Sequence, residues 1–320
     1  MSISGQLPGL FWTGVRPEFS MPYLTIENTT GITPLLELRR SLSESARNRN
    51  NLVLGKWECA NPSASVKDRV VKSMIDDAEE KGAICPGDTL IEASNGNTGI
   101  ALAMQAASRG YRSILIMPEN TDEFKRQSMA VYGAEIILTP RSGGIRYARD
   151  LALQMAAEGK GFMLDQFSNP ANPMAHFKTT GPEIWAAAKG KVTHFVCAIG
   201  TSGTIMGVSR YLKERNKKIR VIGVEPEDKA RISGMIRWPD NQRPKIYEKK
   251  RIDQVETVNQ ACAEYRARKL AADEGIFCGL SSACACEVAL NLSESVNNAT
   301  IVFMIADRGD RYFSSGFFPV

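Results

Sequence analysis

Histidine is the scarcest reactive residue of this 320-residue chain, which has only His176 and His194. Nothing at either position gives metal-ligand spacing, so a histidine-based metal centre is not expected. Charge of one sign is also in short supply. Lys and Arg total 40 against 35 Asp and Glu, and a net charge of +5 is too small to mark a nucleic-acid binder by charge alone. Long apolar runs are missing as well. The longest uncharged stretch, Val192 to Ser209, is broken by His194, by Thr and Ser hydroxyls and by glycines, which argues against a membrane span. The N-terminus has no basic start, and Pro8, Gly9 and Gly14 interrupt it before Arg16, so no secretory signal is expected. The first twenty residues read as an appendage, with Met21 a candidate internal start.

Seven cysteines, an odd number spread over a long chain, suggest reduced thiols in a cytoplasm rather than a disulfide framework. Cys278, Cys284 and Cys286 cluster. Cys284 and Cys286 are two apart on an expected helix and so point different ways, and no fourth ligand is near; they read as small buried apolar groups, with no metal. With 43% hydrophobic and 23% charged residues, the composition is that of an ordinary globular protein large enough for two lobes.

From residue 51 onward, short apolar runs alternate with helical patterns, the form of a parallel sheet flanked by helices. Val66, Val70, Met74, Ile75 and Ala78 recur at helical spacing after Ser65, a candidate N-cap, and Gly82 supplies a stop. Strand 89–93 feeds a helix from Asn97 to Gly110, followed by strand 113–117. A helix over 121–132, strand 134–138, a helix over 147–158 and strand 162–164 complete a first lobe. The second half repeats the grammar: strand 194–199, helix 204–216, strand 220–224, helix 259–272, strand 276–278, helix 282–292 and strand 300–305. Residues 226–256 read as a Pro- and Lys-rich loop. The expected fold is α/β with two lobes, each a mostly parallel sheet flanked by helices, meeting at a ligand cleft.

Three loops stand at strand-to-helix junctions. Gly200-Thr201-Ser202-Gly203-Thr204 offers backbone N–H groups and hydroxyls at a helix start, suited to a phosphate; it is neither a Walker motif nor a dinucleotide fingerprint. Ser94-Asn95-Gly96-Asn97-Thr98 could bind a carboxylate in the same way, or simply cap its helix. Gly279-Leu280-Ser281-Ser282-Ala283 comes close to a nucleophile elbow. No histidine follows residue 194, so Ser281 lacks the downstream base of a serine hydrolase. Finally, Lys67 falls near a helix start, where the dipole disfavours its protonated form; with partial burial that suits it to Schiff-base formation, although an exposed lysine on an amphipathic helix is the plainer alternative.

Taken in order and spacing, Asn61 to Arg69, Glu92 to Gly99, Gly200 to Thr204 and Gly279 to Ser282 resemble the cysteine synthase (O-acetylserine sulfhydrylase) family of fold-type-II pyridoxal-phosphate enzymes, over about Thr25 to Phe317. Arg237-Trp238-Pro239 and Asp307 to Tyr312 further resemble its B-type isozymes. The resemblance implies that Lys67 carries the cofactor as a Schiff base and removes the substrate α-proton. It implies that Asn97 binds the ring hydroxyl, that Gly200, Thr201, Ser202, Gly203 and Thr204 hold the phosphate, and that Ser281 faces the pyridine nitrogen. Ser94, Asn95, Thr98 and Gln166 would grip the substrate carboxylate, and Arg237 would attract an anionic sulfur donor or a phosphorylated serine. A neutral Ser at the ring nitrogen makes the ring a weaker electron sink and favours β-elimination.

The expected reaction is β-replacement forming L-cysteine, or S-sulfocysteine, from O-acetyl-L-serine and sulfide or thiosulfate. The alternatives are an O-phosphoserine user, a synthase of another β-substituted alanine, or a catalytically silent relative that binds pyridoxal 5'-phosphate. Expected partners are the amino acid, the sulfur donor and a second copy in a cytoplasmic homodimer, with no nucleic acid and no membrane. A smaller, movable domain over 60–168 would carry the substrate loop, and a larger one over 1–59 and 169–320 the phosphate loop and Ser281. The chain departs from the family pattern at Ser94-Asn95, where Thr-Ser is usual; at Thr30-Gly31-Ile32-Thr33-Pro34, where the usual motif is Ile-Gly-Asn-Thr-Pro; and at Ala283, where Gly is usual. The loop change bears on the amino-acid substrate more than on the cofactor.

Overall fold

The computed structural model describes residues 24–228 and 230–318; the N-terminal appendage and Met21 lie outside them. In chain order the elements are β1 (Leu35–Glu37), α1 (Glu44–Asn48), β2 (Leu52–Trp57), α2 (Lys67–Glu80), β3 (Thr89–Ala93), α3 (Asn97–Arg109), β4 (Arg112–Pro118), α4 (Glu123–Val131), β5 (Glu135–Thr139) and α5 (Gly144–Ala157). There follow β6 (Phe162–Met163), α6 (Ala171–Ala175), α7 (Gly181–Ala187), β7 (His194–Ala198), α8 (Gly203–Arg215), β8 (Arg220–Pro226), β9 (Gln254–Val258), α9 (Gln260–Glu274), α10 (Leu280–Ser293) and β10 (Thr300–Ile305).

Two sheets organise them. A four-stranded sheet, β5-β4-β3-β6, is parallel throughout, and a six-stranded sheet, β1-β2-β10-β7-β8-β9, is parallel except at the β1 edge. Central strands of such sheets are covered on both faces and so read as unbroken apolar runs rather than alternating ones. β10, Thr-Ile-Val-Phe-Met-Ile, is buried along its whole length between β2 and β7. In the smaller sheet, Leu90 and Leu115 pack with Val71, Met74 and Ile75 of α2 and Leu102 of α3, while Ile91 and Ile116 on the other face meet Ala148 and Ala152 of α5. Strand direction therefore brings the loops after β3, β7 and β10 to carboxyl ends, where α/β sheets place their ligands.

The helix carrying Lys67 is anchored by charge as well as by its apolar face. Arg69 donates from Nε to Glu58 Oε2 at 2.6 Å and from Nη1 to Glu183 Oε1 at 2.7 Å, and the fully buried Lys56 reaches Glu183 Oε2 at 2.7 Å. Thr33 closes the cluster by donating to Glu58 Oε1 at 2.6 Å. These ion pairs hold Glu183 low, at about 2, against the opposing effect of burial.

Several sequence expectations need correction. Residues 276–278 form no strand; only Cys278 makes an isolated bridge, to Arg308, because Gly275 turns the chain out of α9 with φ +69° and α10 starts at once. The stretch 226–256 is not all loop, since it ends in β9, whose half-exposed edge position needs no apolar alternation. The N-cap of α2 is Val66, not Ser65, although Ser65 Oγ still accepts the Lys67 N–H at 3.3 Å. No helix among the described residues is long and apolar enough to cross a membrane. The seven cysteines are free, and burial raises the Cys284 thiol to about 12, as suits an inert core group.

Candidate active site

Lys67 is the first residue of α2 and lies between two cavities. One is an open cleft of about 920 Å³; the other is a small recess of about 40 Å³ walled by Thr201, Ser202, Thr204 and Ser281. Among the described residues, Lys67 Nζ makes no hydrogen bond or ion pair. Burial lowers its pKa, while the charges of Asp307, Cys197 and Glu58 work in the opposite direction. The positive end of the α2 dipole adds to the lowering. An amine so placed is a nucleophile toward an aldehyde and a base once neutral.

The recess is shaped by close backbone approach. Ser202, the N-cap of α8, adopts φ +74°, a left-handed conformation that costs a non-glycine residue roughly 1–2 kcal/mol. Its buried Oγ has no hydrogen-bond partner among the described residues. A Cβ on Gly203 would stand 1.8 Å from Asn172 Oδ1, and one on Gly200 2.6 Å from the Gly234 carbonyl oxygen. The N–H groups of a thirteen-residue helix thus open onto a pocket with an unpartnered hydroxyl, a cradle whose donors suit a dianionic phosphate. Thr204 Oγ1 is hydrogen-bonded to His176 Nε2 at 3.2 Å, and His176 Nδ1 to Thr180 Oγ1 at 2.9 Å. Burial, helped by the Arg69 and Lys67 charges, pushes His176 well below the usual imidazole range. It therefore serves as a neutral support for Thr204.

Across the cleft, the loop after β3 leads into α3. Ser94 Oγ accepts from the Gly99 N–H at 2.9 Å, leaving its own O–H to donate. Thr98 donates to Gln166 Oε1 at 2.7 Å, and the Gln166 amide N–H groups have no partner among the described residues. Both arrangements present donors to a carboxylate. Asn95 is exposed at the rim of the cleft. Asn97 is committed on both sides, donating to Asp307 Oδ2 at 2.7 Å and accepting from Arg311, with one N–H left over. Ser281 is the second residue of α10, with its Oγ beside Gly234.

The structure thus brings Lys67, Ser94, Asn95, Asn97, Thr98, Gln166, Gly200, Thr201 and Arg237 to the cleft, and Ser202, Thr204 and Ser281 to the recess; Gly203 lies behind, against Asn172. Arg237 stands at the rim, half-exposed and paired with Asp228 at 2.9 Å. Asp307, held by Asn97 and Tyr312, and Trp238, whose indole donates to the Gly200 carbonyl at 2.8 Å, stand in the two runs that resemble the B-type isozymes but carry no role there, and Lys125, on the cleft wall, stands in no motif. The Asp307 to Tyr312 run was visible as a resemblance, but nothing in its composition says that it folds under Lys67.

Residues 26–307 match the family model of the pyridoxal-phosphate dependent enzymes. The chain is 51% identical over 297 residues to cysteine synthase B of Pseudomonas aeruginosa, covering 93% of this chain and 98% of that one. It is 49% identical to cysteine synthase B of Escherichia coli over 294 residues, covering 92% and 96%. Among solved structures, that of an O-ureido-L-serine synthase superposes with a TM-score of 0.87 at 36% identity, covering 92% of this chain and 95% of that one.

Proposed function

This chain belongs to the family of pyridoxal-phosphate dependent enzymes, and we propose that within it the protein catalyses β-replacement, forming L-cysteine from O-acetyl-L-serine and a sulfur donor. The observation that carries this reading is the unpaired Lys67 amine set between an anion-binding recess and a carboxylate-binding loop. Relatives with half of their residues identical are cysteine synthases, and that supports the same reaction here.

When bound, pyridoxal phosphate supplies an electron sink that makes the substrate α-proton acidic. The recess has the groups to hold it. The α8 N–H groups, Ser202 Oγ and Thr204 Oγ1 would take the phosphate, the remaining Asn97 N–H the ring hydroxyl, Ser281 the ring nitrogen and Lys67 the aldehyde carbon. Ser94, Thr98 and Gln166 would fix the substrate carboxylate, with Asn95 at its outer edge. The substrate amine would displace Lys67 Nζ from the aldehyde carbon, and the freed amine would take the Cα proton as acetate leaves with the Cβ–O electron pair. The sulfur nucleophile forms the Cβ–S bond, and Lys67 returns the proton to Cα. Burial favours the neutral amine that the first step uses, and the Asp307 charge opposes that lowering, which favours the protonated amine of the return step.

We place the moving part in residues 60–168, which carry the carboxylate loop, against a body of residues 1–59 and 169–320 that carries the phosphate loop and Ser281. A cytoplasmic homodimer, suggested by the free thiols and by the family, completes the reading. Arg237 acts at the rim as a steering charge, its pairing with Asp228 leaving it little grip of its own. A second reading, synthesis of another β-substituted alanine or use of O-phosphoserine, draws on the exposed Asn95 amide and on the likeness to the O-ureido-L-serine synthase fold.

The test is a coupled one. Borohydride-treated holoprotein should carry the reduced cofactor on Lys67 by peptide mass, and O-acetylserine with sulfide should yield cysteine at a rate that Lys67→Ala abolishes. A colourless purified protein with no labelled Lys67 sinks the cofactor assignment. Robust turnover of O-phosphoserine but not of O-acetylserine sinks the substrate.

A further inference from the structure

Lys125 combines three unfavourable circumstances at one point on the cleft wall. Only 9% of it is exposed. It sits in the first turn of α4, where the helix dipole opposes a cation. And it has no carboxylate within ion-pair distance among the described residues: its Nζ meets only Ser233 Oγ, at 3.5 Å, and the face of Tyr312, 4.8 Å from the ring centroid. The two nearest acids are already engaged. Asp122 accepts from the Lys125 N–H and from Ser314, and Asp307 accepts from Asn97 and Tyr312. A buried ammonium without a counter-ion is costly to keep, and evicting water from around it does not repay the cost. Burial accordingly lowers its pKa. The group that repays it is an anion entering the 920 Å³ cleft that Lys125 lines together with Lys67.

Arg237 offers the contrasting case. It also lines the cleft, but it is 45% exposed and its charge is spent on Asp228. An exposed and already paired cation adds little affinity for an incoming ion, whereas a desolvated, unpaired one adds a charge-assisted hydrogen bond in a low dielectric. We propose that Lys125, across from Ser233, is the specificity-determining contact for the anionic sulfur donor. It fits the cleft for a small thio-oxyanion such as thiosulfate, with Ser233 Oγ supplying a second donor. The inference rests on the β-replacement reading and names the subsite of its second substrate.

Titrating thiosulfate into the holoenzyme by calorimetry tests the proposal without turnover. Lys125→Met should weaken binding by at least about tenfold, as the loss of one charge-assisted hydrogen bond implies, while Lys125→Arg stays within about threefold of the parent. Arg237→Ala should lose less than Lys125→Met. In steady state, Lys125→Met should raise the KM for thiosulfate more than the KM for O-acetylserine. If Lys125→Met does not fold, Lys125→Gln, which keeps the reach to Ser233 without the charge, carries the same prediction. The proposal is overturned if the parent binds no thiosulfate, if the uncharged variant binds it within about threefold of the parent, or if Arg237→Ala loses more. Failure to make cysteine from O-acetylserine and sulfide would instead remove the synthase reading, with the titration still deciding the subsite.

Discussion

A single methyl group at Gly203 should disable the phosphate loop and loosen the fold together. Asn172 is fully buried, and its Nδ2 donates to the Gln166 carbonyl at 2.7 Å, so the side chain that a Cβ on Gly203 would strike at 1.8 Å is not free to swing aside. Gly203→Ala must therefore push Asn172 out of place or shift the start of α8. Overpacking of this kind costs roughly 1–3 kcal/mol, and leaving the Gln166 carbonyl without its donor adds roughly 1–3 kcal/mol more. The sum is about 2–6 kcal/mol in urea unfolding of the holoenzyme, accompanied by weaker cofactor retention because the α8 N–H groups move. The partner substitution supplies the control. Asn172→Ala loses the hydrogen bond but clears the space, so Gly203→Ala added to it should cost under about 1 kcal/mol, a non-additivity that a double-mutant cycle reads directly. A cost below about 1 kcal/mol for Gly203→Ala alone, or full additivity with Asn172→Ala, would refute the packing account.

The other consequences are briefer. Ser202→Gly should relieve the left-handed strain, raising cofactor-free stability by about 1 kcal/mol while weakening phosphate binding through the lost hydroxyl; a variant that is both less stable and equally tight would contradict this. Arg69→Met leaves Glu58 buried and uncompensated and should cost about 3–5 kcal/mol by urea unfolding, far more than the exposed pair Lys81–Asp77 would on Lys81→Met. Glu92 at the end of β3 is fully buried, and burial raises its carboxyl to about 8. The folded state then binds a proton that the unfolded state has released, so this group's contribution is intact at acid pH and is lost as pH rises through about 8. The stability gap of Glu92→Gln over the parent should widen from about pH 5 to about pH 8, and a gap that stays flat would show that Glu92 titrates normally.

What could be read from the chain follows a physical division. Apolar runs and helical periodicity report burial, so β3, β4, β7 and β10 and their following helices stand out because burial decides them. Residues 276–278 and β9 depart from what their sequences suggest for the converse reason. The first is apolar but too short to pair before α10, and the second pairs at a sheet edge with most of its side chains exposed. The phosphate loop was legible because a ligand that needs many N–H groups forces glycine and hydroxyl residues into a fixed stretch. The supports beneath it were not. His176, Asn172 and Asp307 act through distance and burial, quantities that no local pattern encodes.

The two cations of the cleft show how far that limit reaches. Charge type and loop position single out Arg237, next to Trp238 in a loop facing the site, and pass over Lys125, one lysine among several charged residues of an amphipathic helix. Electrostatic value in a cleft is set by what surrounds a charge, not by its presence: a paired, half-exposed guanidinium is worth little and an unpaired, buried ammonium a great deal. A net charge of +5 distributes nothing. The partners do, and Asp228 takes from Arg237 what no residue takes from Lys125 among those described. If thiosulfate affinity follows Lys125 rather than Arg237, the anion specificity of this cleft is a property of desolvation before it is one of residue type.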